Sequence, residues 1–124
     1  MEIIKLKGYE HLYAVDSFFS EYQALFGKSA AEHRKYLTRL RTSLGILDRE
    51  LQAAIQYQQF EKLSGEELYS IRHVSKANPR VIYAFFTDDG KIILISCFKE
   101  HNAADYQRGI QQAKSRINQL EVGL

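Results

Sequence analysis

The sequence predicts an α+β fold in which a small antiparallel sheet is covered by helices, with the elements in the order β-α-α-β-β-β-α. One observation behind this prediction is that residues 68–99 contain three runs with the alternation, composition and length of strands. Another is that apolar residues on both sides of these runs recur at intervals of three and four, as on one face of a helix. Because 124 residues suffice for one core but not for two, residues 1–124 are expected to form a single domain.

The N-terminal half is expected to contribute one strand and two helices. Residues 3–7 are predicted to form a brief strand at an edge of the sheet, and residues 9–26 carry a helical apolar stripe that ends at Gly27. Ser29 and Glu32 have the spacing of a capping box, which predicts a second helix of about 30 residues continuing to Gln58. Since one or two residues separate them, the helices are expected to form an antiparallel hairpin on one face of the sheet. A coiled-coil surface for a partner is the alternative use of this apolar seam.

Turn residues separate the three strands of the predicted meander. Pro79, which cannot donate to a β-ladder, lies between LYSIRHV and RVIYAFFT. Asp88-Asp89-Gly90 joins the second strand to KIILISCF, and Asp-Gly suits a tight hairpin because glycine takes positive φ without steric cost. The sequence therefore predicts an antiparallel meander.

A C-terminal helix is predicted to follow the meander and pack on the sheet. Asn102 is a suitable N-cap, and Asp105 lies in the first turn, where the helix dipole favours a carboxylate. The expected apolar stripe consists of Tyr106, Ile110, Ala113, Ile117 and Leu120.

Basic residues mark the ends of the predicted strands. Side chains alternate along a strand, so Arg72 projects with Ser70 from the less apolar face of the first strand of the meander. In an antiparallel meander the end of the third strand returns to the start of the second, which allows Arg80, Lys99 and His101 to meet. Two interpretations stay open at this point: a cationic site, or ordinary solvated charges at strand ends.

Composition excludes several classes of function. No stretch has the roughly 18 apolar residues that span a bilayer, and the N-terminus lacks the pattern of a signal peptide, so a cytoplasmic protein without a membrane partner is expected. A net charge of +2 is too small to indicate a nucleic-acid-binding protein by itself. The basic run between Lys28 and Arg49 fits either a solvated helix face or a contact with a polyanion or acidic partner. Cys97 lies inside a strand and is expected to be a buried, inert thiol. No motif indicates a metal or a cofactor.

The order of the motifs resembles the RelE/ParE superfamily of bacterial type II toxins, in particular its phage-derived HigB-like branch. The resemblance covers the whole chain in the order of elements and about residues 68–117 in motif. A strand with leucine, an aromatic residue, an aliphatic residue and arginine is followed by an arginine-aliphatic-x-tyrosine strand, a third strand ending in phenylalanine and a basic residue, and a helix containing AKSRI. The matching residues are Leu68, Tyr69, Ile71, Arg72, Arg80, Val81, Tyr83, Phe98 and Lys99.

This resemblance implies a RelE-like fold and a toxin that is a ribosome-dependent mRNA endonuclease, or mRNA interferase, inhibited by a cognate antitoxin. The chain is then expected to form oligomers only with that antitoxin. Such enzymes cleave RNA without a metal, by attack of the 2′-hydroxyl, leaving a 2′,3′-cyclic phosphate. The planar, permanently charged guanidinium groups of Arg72 and Arg80 are expected to bind the phosphate, with Lys99 sharing that role.

The resemblance also implies roles for residues after the third strand. His101 is the expected base or acid, because imidazole titrates near neutrality, and Glu100 is a second candidate base. Tyr106 is expected to orient the substrate or stack on a base, its alternative role being a core aromatic. The chain has Lys99-Glu100-His101 where relatives usually carry two adjacent basic residues. A ParE-like poison of DNA gyrase and a catalytically inactive interaction protein of the same fold therefore stay open as alternatives.

Overall fold

The three strands of the predicted meander are present and lie inside a larger mixed sheet. The computed structural model describes residues 1–86 and 90–122. Its strands are β1 (Ile3–Lys5), β2 (Leu12–Val15), β3 (Phe60–Lys62), β4 (Tyr69–Arg72), β5 (Pro79–Phe85) and β6 (Ile92–Lys99). Its helices are α1 (Phe18–Ala24), α2 (Ala30–Glu50) and α3 (Ala103–Val122), and a 3₁₀ helix, Leu51–Gln56, follows α2. The architecture is α+β, as the sequence predicts.

The six strands are ordered β1-β2-β6-β5-β4-β3 in the sheet. Neighbours run antiparallel except β2 and β6, which are parallel. The prediction of an antiparallel sheet is therefore correct for the meander but wrong for the whole sheet. Of the predicted hairpin turn, Asp88 and Asp89 lie outside the described residues, whereas Gly90 has the positive φ, +89°, that the prediction requires.

Two strands were missed by the sequence patterns. β2 falls where a helix was predicted, because its apolar residues Leu12 and Val15 are spaced equally well for a helix face. Contacts distant in sequence hold this segment extended instead. The Asp48 carboxylate accepts hydrogen bonds from the backbone amides of Glu10, at 2.9 Å, and His11, at 2.7 Å. β3 has only three residues and continues the sheet beyond β4, so it carries almost no periodic signal.

Both N-terminal helices are shorter than predicted. α1 has seven residues because β2 takes the preceding segment. α2 begins at the predicted cap, where the Glu32 amide donates to Ser29 Oγ at 3.2 Å. It ends at Glu50 rather than Gln58, because Leu51 adopts a φ of +53° that no α-helix can contain, and the chain continues as the 3₁₀ helix.

The helices cover both faces of the sheet. α3 packs on β5 and β6, and its predicted stripe is buried at Ile110, Ala113 and Leu120. α1 packs on β6 from the other face, and the turn after it meets α2 through the stacked rings of Phe26 and Tyr36, whose centroids are 5.1 Å apart. The predicted helical pair is therefore present on one face, with the C-terminal helix on the opposite one. No helix within the described ranges is long and apolar enough to cross a bilayer.

Arg116 links the helices on the two faces of the sheet, beside the part of β6 that no longer pairs with β2. Arg116 of α3 donates to both carboxylate oxygens of Glu21 in α1, at 2.8 and 2.5 Å, and to the carbonyl of Ile95 at 2.8 Å. Ile95 comes directly after the last residue of β6 that pairs with β2. The guanidinium thus occupies the place that a longer β2 would take. Nearby, burial raises the pKa of the Cys97 thiol to about 12, which fits the expected inert cysteine.

Alanine substitution should have opposite effects on stability at the two glycines that lie in helices. A Cβ at Gly109 of α3 collides with the Phe98 ring, whereas a Cβ at Gly45 of α2 meets nothing within 4 Å. We expect Gly109→Ala to destabilise the fold by about 1–3 kcal/mol through overpacking. Gly45→Ala, the matched control, should stabilise it by about 0.5–1 kcal/mol. Urea denaturation measures both, and equal effects of the two substitutions would contradict the packing of α3 on Phe98.

Candidate functional site

Two of the predicted arginines lie side by side at one end of the sheet. Arg72 of β4 is directly opposite Arg80 of β5, and Arg80 is opposite Phe98 of β6, so all three side chains project from the face that carries α3. Arg80 Nη2 is 2.8 Å from Glu100 Oε2, and Arg72 Nη1 is 4.0 Å from the same oxygen. One carboxylate therefore lies between two guanidinium groups.

Arg80 is the buried member of this cluster. Its side chain is only 4% exposed, against 42% for Arg72, and its guanidinium lies 5.2 Å from the centre of the Tyr106 ring of α3. The ring face attracts the cation and shields it from water. Tyr106 is half-buried against the core, as its alternative role predicts, and its ring also lies beside the cluster.

Two atoms of the cluster keep unused hydrogen-bonding capacity. Arg80 and Glu100 are close enough for an ion pair, but their approach does not have hydrogen-bond geometry. Arg80 Nε and Glu100 Oε2 are both buried and have no hydrogen-bond partner among the described residues. Buried polar atoms are normally hydrogen-bonded, so Arg80 Nε and Glu100 Oε2 have capacity for a further partner.

Asn78 is a member of this region that sequence reasoning missed. Its side-chain amide donates to the Glu100 carbonyl at 2.7 Å, and the Glu100 amide donates to the Asn78 carbonyl at 3.1 Å. Asn78 has a φ of +47°, and asparagine adopts such left-handed backbone more readily than most residues. It fastens the start of β5 to the residue after β6, which positions Glu100. The sequence feature that could have indicated this residue is an asparagine in a turn, directly before Pro79.

Lys99 and His101 do not join the cluster. Side chains alternate along β6, so Lys99 projects to the face opposite Phe98, where its ammonium lies 5.5 Å from the centre of the Phe26 ring. The His101 side chain is exposed, and its backbone amide donates to Asp105 Oδ2 at 3.0 Å. Within residues 1–86 and 90–122, no hydrogen bond or ion pair links either side chain to Arg80. The structure therefore brings together Arg72, Arg80, Glu100 and Tyr106, but not the expected trio of Arg80, Lys99 and His101.

His73, on the helical-pair side of the sheet end, is a structural histidine. Its Nε2 lies 3.1 Å from Ser43 Oγ of α2. Burial lowers the pKa of the His73 imidazole below its ordinary value of about 6.5, and the guanidinium of Arg39 lowers it further.

A cavity of about 470 Å³ lies away from the cluster of Arg72, Arg80 and Glu100, between the loop after β1 and the helices α1 and α2. It has buried leucines at its base and basic side chains at its mouth, and its walls are Leu6, Lys7, Tyr9, Phe19, Ser20, Gln23, His33, Leu37, Arg41 and Leu44. None of the predicted site residues lines it.

No protein-family model matches the chain, and no curated protein matches it at a significant level. Among the described residues, no group of three or more histidine, cysteine, aspartate or glutamate side chains is arranged to hold a metal ion.

The lowered pKa of His73 predicts a pH dependence of stability. As the pH falls through about 6.5, the unfolded chain takes up a proton on His73 while the folded chain does not, so stability is lost in that window. We expect His73→Gln to flatten the decline in the free energy of unfolding between about pH 7 and pH 5. Urea denaturation across this range measures the slope, with the exposed His101→Gln as control. A slope in His73→Gln equal to that of the parent protein would contradict the prediction.

Proposed function

We propose that this chain is the toxin of a type II toxin–antitoxin system and cleaves mRNA on the ribosome, as the resemblance to RelE/ParE toxins implies. The observation that carries the proposal is that Arg72 and Arg80, from two strands, approach one oxygen of Glu100, while Tyr106 of α3 lies over the Arg80 guanidinium. A cation exposed beside a carboxylate is what cleavage of a phosphodiester by its own 2′-hydroxyl requires.

The burial of each group supports a distinct role for it in this reaction. Arg72, the exposed guanidinium, binds the non-bridging oxygens of the scissile phosphate and stabilises the charge that develops there. Glu100 accepts the proton of the 2′-hydroxyl as its oxygen attacks phosphorus. The bond to the 5′ oxygen breaks, a 2′,3′-cyclic phosphate forms, and the leaving oxygen takes a proton from solvent water, because the His101 side chain does not join the cluster. Arg80, buried under Tyr106, positions Glu100.

The exposed arginine gives the first test of this proposal. Arg72→Ala should relieve growth arrest on induced expression and reduce cleavage of a reporter mRNA in a reconstituted translation system by about 10²–10³-fold. Arg49→Ala is the matched control, because that side chain is 64% exposed on α2 and belongs to a different surface. Full toxicity of Arg72→Ala would remove the proposed phosphate contact.

Glu100→Gln tests whether the Glu100 carboxylate acts as the catalytic base or only neutralises the neighbouring arginines. The substitution removes the proton acceptor, so cleavage should fall by about 10²–10⁴-fold. It also removes a negative charge beside two arginines, so binding of a non-cleavable RNA should become at least as tight as in the parent protein. Glu67→Gln, at a side chain that is 94% exposed, is the control. Cleavage close to the parent rate in Glu100→Gln would exclude Glu100 as the base.

One observation favours a second candidate, a catalytically inactive interaction protein of the same fold. The charge of Arg80 is balanced by Glu100, and Lys99 lies on the other face, so the cluster also serves to hold the sheet end together. A protein that accumulates without arresting growth and leaves mRNA intact identifies this candidate. DNA cleavage by gyrase with intact mRNA would instead identify the gyrase-poison alternative.

The toxin proposal includes a protein partner. A cognate antitoxin, encoded beside the toxin, would bind the chain and form the oligomer with it. Copurification of such a neighbour on coexpression, together with restored growth, tests this part of the proposal.

A further inference from the structure

A second polar surface lies next to the cluster, around the end of β4. It is a cavity of about 430 Å³ with walls formed by Arg39, Gln58, Gln59, Arg72, His73 and Val74. None of these six residues is acidic, and two carry guanidinium groups. Arg72 belongs both to this cavity and to the cluster, so the two surfaces are continuous.

The cationic charge continues from this cavity along the face of α2. The Arg39 guanidinium lies 5.3 Å from the centre of the Tyr36 ring, and Lys35 Nζ lies 5.6 Å from the same ring. Lys99 lies over the Phe26 ring, which stacks on Tyr36. Among the residues that the structure describes, no carboxylate forms an ion pair with Lys35, Arg39 or Lys99. Aromatic rings rather than acids support these cations, so their charge is not neutralised within the chain.

The polar wall of the cavity is held in place by hydrogen bonds. Gln59 Nε2 donates to Ser43 Oγ at 3.4 Å, and Ser43 Oγ lies 3.1 Å from His73 Nε2. The Gln59 carbonyl accepts from the Arg72 amide at 2.9 Å, which joins this wall to β4. Gln58 is exposed at the rim, where its side-chain amide can pair with the edge of an unstacked base.

We infer that this cavity binds the nucleotide next to the one held at Arg72, so that single-stranded RNA passes around the sheet end onto the cationic face of α2. The inference rests on the proposed function for the identity of its ligand. Guanidinium groups at Arg39 and Arg72 match phosphate oxygens, and the amide at Gln58 matches a base edge. A flexible single strand can turn from one face of the sheet to the other, whereas a rigid acidic helix cannot follow that path.

Binding of a fluorescent single-stranded RNA, 2′-O-methylated at every position so that it cannot be cleaved, tests the inference. Arg39→Gln removes one phosphate contact, so the slope of log affinity against log salt should fall by about 0.7, which is about fivefold in affinity near 0.1 M salt. Arg49→Gln, on the same helix but outside the cavity, is the matched control. Both positions are exposed and glutamine is a good helix former, so folding should be preserved, which circular dichroism checks.

The outcomes separate this inference from the proposed function. If the parent protein leaves mRNA intact and yet Arg39→Gln weakens RNA binding, the proposed function fails and the binding surface stands. If the parent protein cleaves mRNA and Arg39→Gln binds RNA like Arg49→Gln, the binding surface fails and the proposed function stands.

An acidic protein partner is the competing occupant of this surface. Polyglutamate of matched charge serves as the probe. If it binds as tightly as the RNA and is weakened to the same extent by Arg39→Gln, the surface recognises acidic chains in general, and the inference of an RNA path is overturned. Clear preference for the RNA supports it.

Discussion

The common register of β4, β5 and β6 is the constraint on which the rest of this structure depends. It aligns Arg72, Arg80 and Phe98 in one row on one face of the sheet. Phe98 meets α3 at Gly109, where no side chain intervenes, so the helix lies close to the sheet. That approach places Tyr106, one turn earlier, over the Arg80 guanidinium. The position of the helix and the geometry of the cluster therefore have the same origin.

The Arg80–Glu100 pair is a structural element of the sheet end. Leaving a buried charge without its partner costs about 3–5 kcal/mol, so neither residue can be exchanged alone without consequences for the sheet end. Asn78 strengthens this arrangement by joining the start of β5 to Glu100 through the backbone and its own side chain. Arg116 performs a comparable task at the other edge of β6, where it joins the two helical layers. Charged groups thus hold the periphery of a largely apolar core.

The distribution of charge gives the two faces of the sheet end different properties. On the face of α3, the carboxylate of Glu100 balances a buried cation and lies near an exposed one. On the face of α2, Lys35, Arg39 and Lys99 lie against aromatic rings. This side is a setting for electrostatic attraction of a polyanion. Arg72 is common to both surfaces and connects them at the end of β4.

The sequence by itself determined the elements whose signals are local. Periodicity identified the meander, the caps at Ser29 and Asn102 located two helix starts, and alternation placed Arg72 on the less apolar face. Tertiary structure alone decided β2, because the Asp48 carboxylate that holds its start is distant in sequence and the three-residue spacing of Leu12 and Val15 indicates a helix face. Tertiary structure also decided which residues at the end of β6 and just after it lie near Arg80. Alternation along the strand turns Lys99 away, while backbone contacts with Asn78 hold Glu100 in place, and such contacts between separate segments leave no periodic trace in a single sequence.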